Sequence, residues 1–145
     1  MAGVSDFAWD DTAQRLCRLA RQYAFLFGEE FVGTEHLLLA AAEMTPTDWH
    51  GFPCLCRNGV LDAMDEVLGK RGGAELDERR PQKLTPRASE ALRLALESAT
   101  RANRPVGCRD VWLGLLSDED GLAIKLLACL GVGSEELRNR IGLAP

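Results

Sequence analysis

One helical face is written twice in this chain, 75 residues apart, and that duplication limits the folds open to it. Ala13, Leu16, Cys17, Ala20, Ala24 and Phe27 share one side of a helix, and the same spacing returns as Ala88, Ala91, Leu92, Ala95, Ala99 and Ala102. The echo continues from Val32-Gly33 to Val106-Gly107, from Leu39 to Leu113, and from Gly59-Val60 to Gly131-Val132. A repeat of this length predicts one helical unit used twice, each copy covering a face the other cannot bury alone. Such an arrangement suits a binding surface better than a catalytic centre.

Size and charge narrow the reading. The chain has 145 residues and is 46% apolar, enough for a single domain with a real core. Its net charge of −5 argues against nucleic acid as a partner, because phosphate contacts need a basic face. No apolar run approaches the roughly 20 residues of a membrane span. Met1-Ala2-Gly3-Val4, followed by acidic residues, lacks the form of a secretory signal. Cys17, Cys54, Cys56, Cys108 and Cys129 are an odd set of five, with Cys17 on an apolar helical face, so reduced thiols and a cytoplasmic location are expected.

The local signals predict an all-α fold of eight helices in two pseudo-symmetric four-helix repeats, at 9–69 and 84–142, joined by a linker at 70–83. Asp10 or Asp11 caps a first helix reaching Phe27, and Thr34 caps a second to Ala42. Met44 to Pro53 reads as irregular, because Pro46 and Pro53 interrupt helix. A short third helix is expected near Cys54–Arg57, ahead of an Asn58-Gly59 turn, and a fourth at Asp62–Leu68. The second unit opens with Thr85 as a cap and Pro86 at the first helical position. Helices near Arg109–Leu116 and Asp120–Leu130 follow, and a last one after a Ser134 cap.

Val32-Gly33-Thr34-Glu35-His36-Leu37-Leu38-Leu39 resembles the Gly-Thr-Glu-His-Leu-Leu-Leu signature of the Clp N-terminal domain, the double-repeat module at the front of Clp unfoldases. Leu84-Thr85-Pro86-Arg87-Ala88 resembles the opening of that family's second repeat, and Gly121–Leu127 with Leu130-Gly131-Val132 its third helix and turn. The similarity spans roughly residues 9 to 142. It implies an eight-helix module that captures protein substrates or adaptors and works with a Clp ATPase. No Gly-x-x-x-x-Gly-Lys-Ser/Thr loop is present, so no ATPase site and no cofactor are expected. The chain reads as a free-standing, divergent relative of the domain rather than a fragment.

Candidate site residues follow from the repeated helix starts. Glu35 lies in a first helical turn, where unpaired N–H groups favour anions. A carboxylate beside such donors can hold a ligand that is both cation and anion, with guanidinium on the carboxylate and phosphate on the amides. The resemblance implies phosphoarginine, carried over to Thr34 and Glu35. The alternative is that Thr34 is only a cap and Glu35 a favourable helix-start charge. The second copy reads Gly107-Cys108-Arg109-Asp110. Arg109 there would repel guanidinium, so that site is expected to be degenerate, with Arg109 either an ordinary solvated side chain or a reader of acidic partners.

The loop at 44–53 departs from the family by two extra residues and by Trp49 and Phe52. These rings either fold inward, the favoured reading, or form a protein-docking patch. His50, Cys54 and Cys56 lack a fourth ligand with metal-site spacing, so no metal is expected. His36 has no nucleophile placed beside it by sequence and is expected to pack or bond locally, while Trp112 belongs in the core and Trp9 packs ahead of a helix cap. No catalytic constellation is visible. The expected function is a non-enzymatic binder of substrates or adaptors in regulated proteolysis. The alternative is a degenerate module binding an unrelated partner through loops 44–53 and 103–110.

Overall fold

The computed structural model describes residues 8–69 and 83–142. Among them run eight helices: α1 (Asp11–Leu26), α2 (Thr34–Met44), α3 (Thr47–His50), α4 (Arg57–Leu68), α5 (Pro86–Arg101), α6 (Cys108–Leu116), α7 (Leu122–Cys129) and α8 (Ser134–Gly142). The expected linker at 70–83 lies outside the described residues except for Lys83. The class is all-α, with one addition that periodicity did not reveal. β1 (Phe31–Val32) and β2 (Lys83–Leu84) pair in parallel, Val32 opposite Leu84, and Trp9 bridges Val106 in the same sense. Two-residue pairings are too short to leave an alternating pattern.

These pairings are reciprocal. The segment entering α1 bonds to the segment entering α6, through Asp10 N–H to the Val106 carbonyl at 2.9 Å. The segment entering α5 bonds to the segment entering α2, through Thr85 N–H to the Val32 carbonyl at 2.9 Å. Each half therefore supplies backbone partners that the other half lacks.

Helix starts obey two rules. Asp10 caps α1 through the Ala13 N–H (2.8 Å) and Thr85 caps α5 through the Ala88 N–H (3.1 Å), with Pro86 at the first position, as the sequence predicts. At α2, α6 and α8 the cap lies one residue earlier than expected, whereas α7 starts at Leu122, two residues later than the expected Asp120. Gly33, not Thr34, caps α2, and Gly107 rather than Cys108 caps α6. The Leu137 N–H reaches the Gly133 carbonyl at 2.9 Å, which places Ser134 inside α8. In α2 and α6 no cap hydroxyl is required, because the third helical residue, His36 or Asp110, accepts the cap glycine's own N–H.

The first repeat also departs from expectation at its third helix. The stretch before α4 is a turn, and the short helix is α3, inside the segment read as irregular. Pro46 stands just ahead of α3, where its missing N–H costs nothing, and Gly51 ends the helix with φ 74°. Helix α4 begins at Arg57, so Asn58-Gly59 is helical rather than a turn. Gly59 is demanded by a close approach instead: a Cβ there would lie 1.9 Å from the Cys54 carbonyl oxygen. Gly131 has φ 75° behind α7, so the Gly59/Gly131 echo joins two different local structures.

The duplicated face is the buried one. Ala13, Leu16, Ala20 and Ala24 of α1, and Ala88, Ala91, Ala95 and Ala99 of α5, are buried, while Ala102 is exposed and ends the pattern. Helices α2 and α6 are covered nearly all round, as expected of helices apolar on every side. Trp112 is fully buried, and its Nε1–H donates to Thr45 Oγ1 at 2.8 Å, tying α6 to the end of α2. The small residues of α5 let α6 approach so closely that a Cβ on Gly114 would lie 2.2 Å from the Ala91 carbonyl oxygen. Gly114→Ala is therefore expected to destabilise the protein by about 1–2 kcal/mol in urea unfolding, overpacking outweighing the ~1 kcal/mol helix-propensity gain of alanine. A midpoint at or above wild type would show that α5 and α6 part freely.

Candidate functional site

The sequence repeat places two equivalent walls around one groove. Helices α1 and α5 flank a cavity of about 530 Å³. Its lining includes Trp9 with Leu84, Gln14 with Ser89, Cys17 with Leu92, Arg18 with Arg93, and Arg21 with Leu96. Each of these pairs is 75 residues apart. Val32 and Leu37 complete the lining. Three of the bridged residues, Trp9, Val32 and Leu84, thus face the groove that their pairing creates. The Trp9 Nε1–H is buried without a hydrogen-bond partner among the described residues. An apolar channel with arginines along it can seat an extended or helical protein segment.

The helix starts sit apart from this groove. Glu35 is half-buried and folds back over the cap glycine, its Oε1 1.9 Å from where a Gly33 Cβ would stand. Burial raises its pKa, its own backbone N–H opposes that, and Glu29 adds to it. Thr34 is buried as the first helical residue. His36 is buried against Phe27, and its Nδ1 accepts the Gly33 N–H at 2.9 Å. Burial pushes its pKa down to about 4, keeping the ring a neutral acceptor.

In the second copy the same cap is built from different chemistry. Arg109 stands where Glu35 does, and Asp110 takes the place of His36. Asp110 is completely buried, accepting the Gly107 N–H (2.9 Å), the Ser98 hydroxyl (3.1 Å) and Arg104 Nη2 (2.8 Å). Burial alone would raise its pKa, but Arg104, Gly107 and Ser98 outweigh it and hold the carboxyl below the usual range. Asp110 is thus a structural cap. Cys108 is buried at the first helical position, and burial raises its thiol pKa.

Loops 44–53 and 103–110 meet. Trp49, Met44, Thr45 and Pro46 line a depression of about 500 Å³ with Arg104, Pro105, Cys108 and Arg109, and Asp10 and Thr12 close it. The two rings of the first loop have separate fates. Phe52 turns inward and stacks on His50 at 6.1 Å, while Trp49 stays half-exposed on the depression. His50 is buried and its Nδ1 accepts the Phe52 N–H at 3.0 Å, whereas Cys54 is exposed with its thiol 3.6 Å from the Leu130 carbonyl.

Residues 83–144 match the family model of the Clp repeat (R) N-terminal domain. The N-terminal domain of the chaperone ClpD from Arabidopsis thaliana superposes with a TM-score of 0.78, covering 96% of each chain at 18% identity. The fold is that of a Clp N-terminal domain. The Hsp104 N-terminal domain from Candida albicans is similar too, with a TM-score of 0.70 over 92% of this chain and 88% of that one at 14% identity. By sequence the chain is 25% identical over 139 residues to ClpC/MecB of Bacillus subtilis, and 29% identical over 136 to chloroplastic ClpC1 of Oryza sativa subsp. japonica. Each alignment takes in 90% of this chain but only 16% or 14% of the relative, so the chain spans about a sixth of their length. The family resemblance read in the sequence is borne out. No helix among the described residues is long and apolar enough to cross a membrane.

Sequence reasoning missed the groove. It placed Trp9 and Leu84 ahead of their helices and Cys17 and Leu92 on an apolar face, without seeing that these positions converge. The available signal was Arg15, Arg18 and Arg21 spaced by threes beside that face.

The buried His36 makes stability pH-dependent. A histidine whose folded pKa lies near 4, against an ordinary 6.5, leaves the unfolded state binding more protons as pH falls between those values. Stability is therefore full above pH 6.5 and declines toward pH 4, by an amount on the order of 3 kcal/mol. His36→Gln, which keeps an acceptor for the Gly33 N–H, should flatten much of that decline in urea titrations at pH 7 and 4.5. An unchanged slope would count against a neutral His36.

Proposed function

We propose that this protein is a non-enzymatic binding module that takes segments of protein substrates or adaptors into the α1/α5 groove and so tunes regulated proteolysis by a Clp ATPase. Delivery of clients and competition for ligands of the full-length unfoldase are the two modes open to it. The observation that carries this reading is the groove itself, apolar along its floor and built from equivalent residues of both halves. Leu92→Asp should abolish binding of an unfolded model protein, read by fluorescence anisotropy, with little change in thermal midpoint because Leu92 is only partly buried. Undiminished binding in that variant would remove the groove from the function.

Phosphoarginine at Thr34 and Glu35 is the finer form of this proposal. The Glu35 carboxylate lies against its own helix-start N–H, so a ligand's guanidinium must draw it away while the phosphate takes the vacated donor. Arg109, in the matching place of the second copy, opposes guanidinium, so one site is expected rather than two. Free phosphoarginine should raise the thermal midpoint of wild type and leave that of Glu35→Ala unmoved. A shift that persists in Glu35→Ala would place the ligand elsewhere.

A second reading, partner binding through the altered loops, is supported by their convergence in the depression beside Trp49. Under that reading Trp49→Ala, and not Leu92→Asp, would abolish partner binding.

A further inference from the structure

We propose that the groove selects segments in which an apolar side chain is flanked by acidic residues, with their carboxylates held by Arg18 and Arg21 on α1. This rests on the groove being the client site and names the class of segment it prefers.

The argument is a charge asymmetry between two walls that otherwise correspond residue for residue. On α5, Arg93 is already matched: it bonds to Glu90 at 2.5 Å and to Glu97 at 2.9 Å, and Glu97 also pairs with Arg101. On α1 the positions corresponding to Glu90 and Glu97 are Arg15 and Gln22. Arg18 and Arg21 therefore have no carboxylate on their own helix face, and neither forms an ion pair among the described residues. Arg15, Arg18 and Arg21 follow one another at three-residue spacing, against one acidic residue, Asp11, in the whole helix. The result is a positive wall on a chain whose net charge is −5.

Arg18 and Arg21 lie beside the apolar floor formed by Trp9, Leu92 and Leu96. Guanidinium groups in that setting present forked donors that fit carboxylates. Exposed charges alone contribute little to affinity. Burial of the apolar side chain supplies the binding, and the acids decide which segment enters and which way it lies, turned toward α1 rather than α5.

The test uses three labelled twelve-residue peptides with a central Leu-Phe, flanked by Glu, by Gln or by Lys, measured by fluorescence anisotropy at low and high salt. The Glu peptide is expected to bind at least tenfold more tightly than the Gln peptide at about 0.05 M salt, with the advantage lost near 0.5 M. The Lys peptide should bind least. Arg18→Ser/Arg21→Ser should remove the difference between the Glu and Gln peptides, while Arg93→Ser should keep the preference. Both arginines of α1 are exposed, so the double variant should retain the wild-type thermal midpoint.

Equal binding of the Glu and Gln peptides, both abolished by Leu92→Asp, would overturn the acidic preference and leave the groove as client site. A Glu preference that survives Arg18→Ser/Arg21→Ser would overturn the assignment to α1. No binding of any peptide to the folded protein would overturn both readings. Sedimentation showing a dimer whose dissociation restores peptide binding would make a second copy the occupant and sink the proposal.

Discussion

Backbone bridges at two places hold this structure in its arrangement. Trp9 against Val106, and Val32 against Leu84, each join the entry to a long helix in one half with the entry to a central helix in the other. Neither half can make these bonds alone, because the donor and acceptor strands belong to different repeats. A few hydrogen bonds of this kind contribute only a few kcal/mol. Their larger effect is geometric: they fix where α1 and α5 begin, and so set the two helices on either side of one groove.

From that constraint the core follows. The small faces of α1 and α5 turn inward on the buried helices α2 and α6, and α6 approaches α5 at Gly114 closely enough to exclude a methyl group. What remains of each long helix, Cys17 with Arg18 and Leu92 with Arg93, looks across the groove instead of into the core. One duplicated pattern thus supplies two surfaces, one buried in the core and one lining the groove.

The two halves have diverged where chemistry, not packing, is at stake. The cap glycine of α2 is served by a neutral imidazole and that of α6 by a buried carboxylate, which in turn requires Arg104 and Ser98. The adjoining position holds Glu35 in one copy and Arg109 in the other. On the groove walls, Glu90 and Glu97 neutralise Arg93, while Arg15 and Gln22 leave the α1 arginines without such partners. Two halves that share one sequence pattern therefore present different charges on the two walls of the groove.

The sequence by itself determined the helical class, the long helices of each half and the Asp10 and Thr85 caps, because 3.6-residue periodicity and cap chemistry are local properties, and its motifs carried the family resemblance. It misplaced the caps of α2 and α6, since the group that satisfies Gly33 or Gly107 is a side chain whose orientation depends on burial. It misread Gly59 as a turn, because the Cys54 carbonyl that demands glycine there is set by how the chain folds back on α4. Only the tertiary structure decided that Cys17, Leu92, Arg18 and Arg21 converge on one groove, and that Trp49 and Arg109 line one depression. Such neighbours are brought together by helix packing and interrepeat bridges, over separations that no spacing rule along the chain encodes.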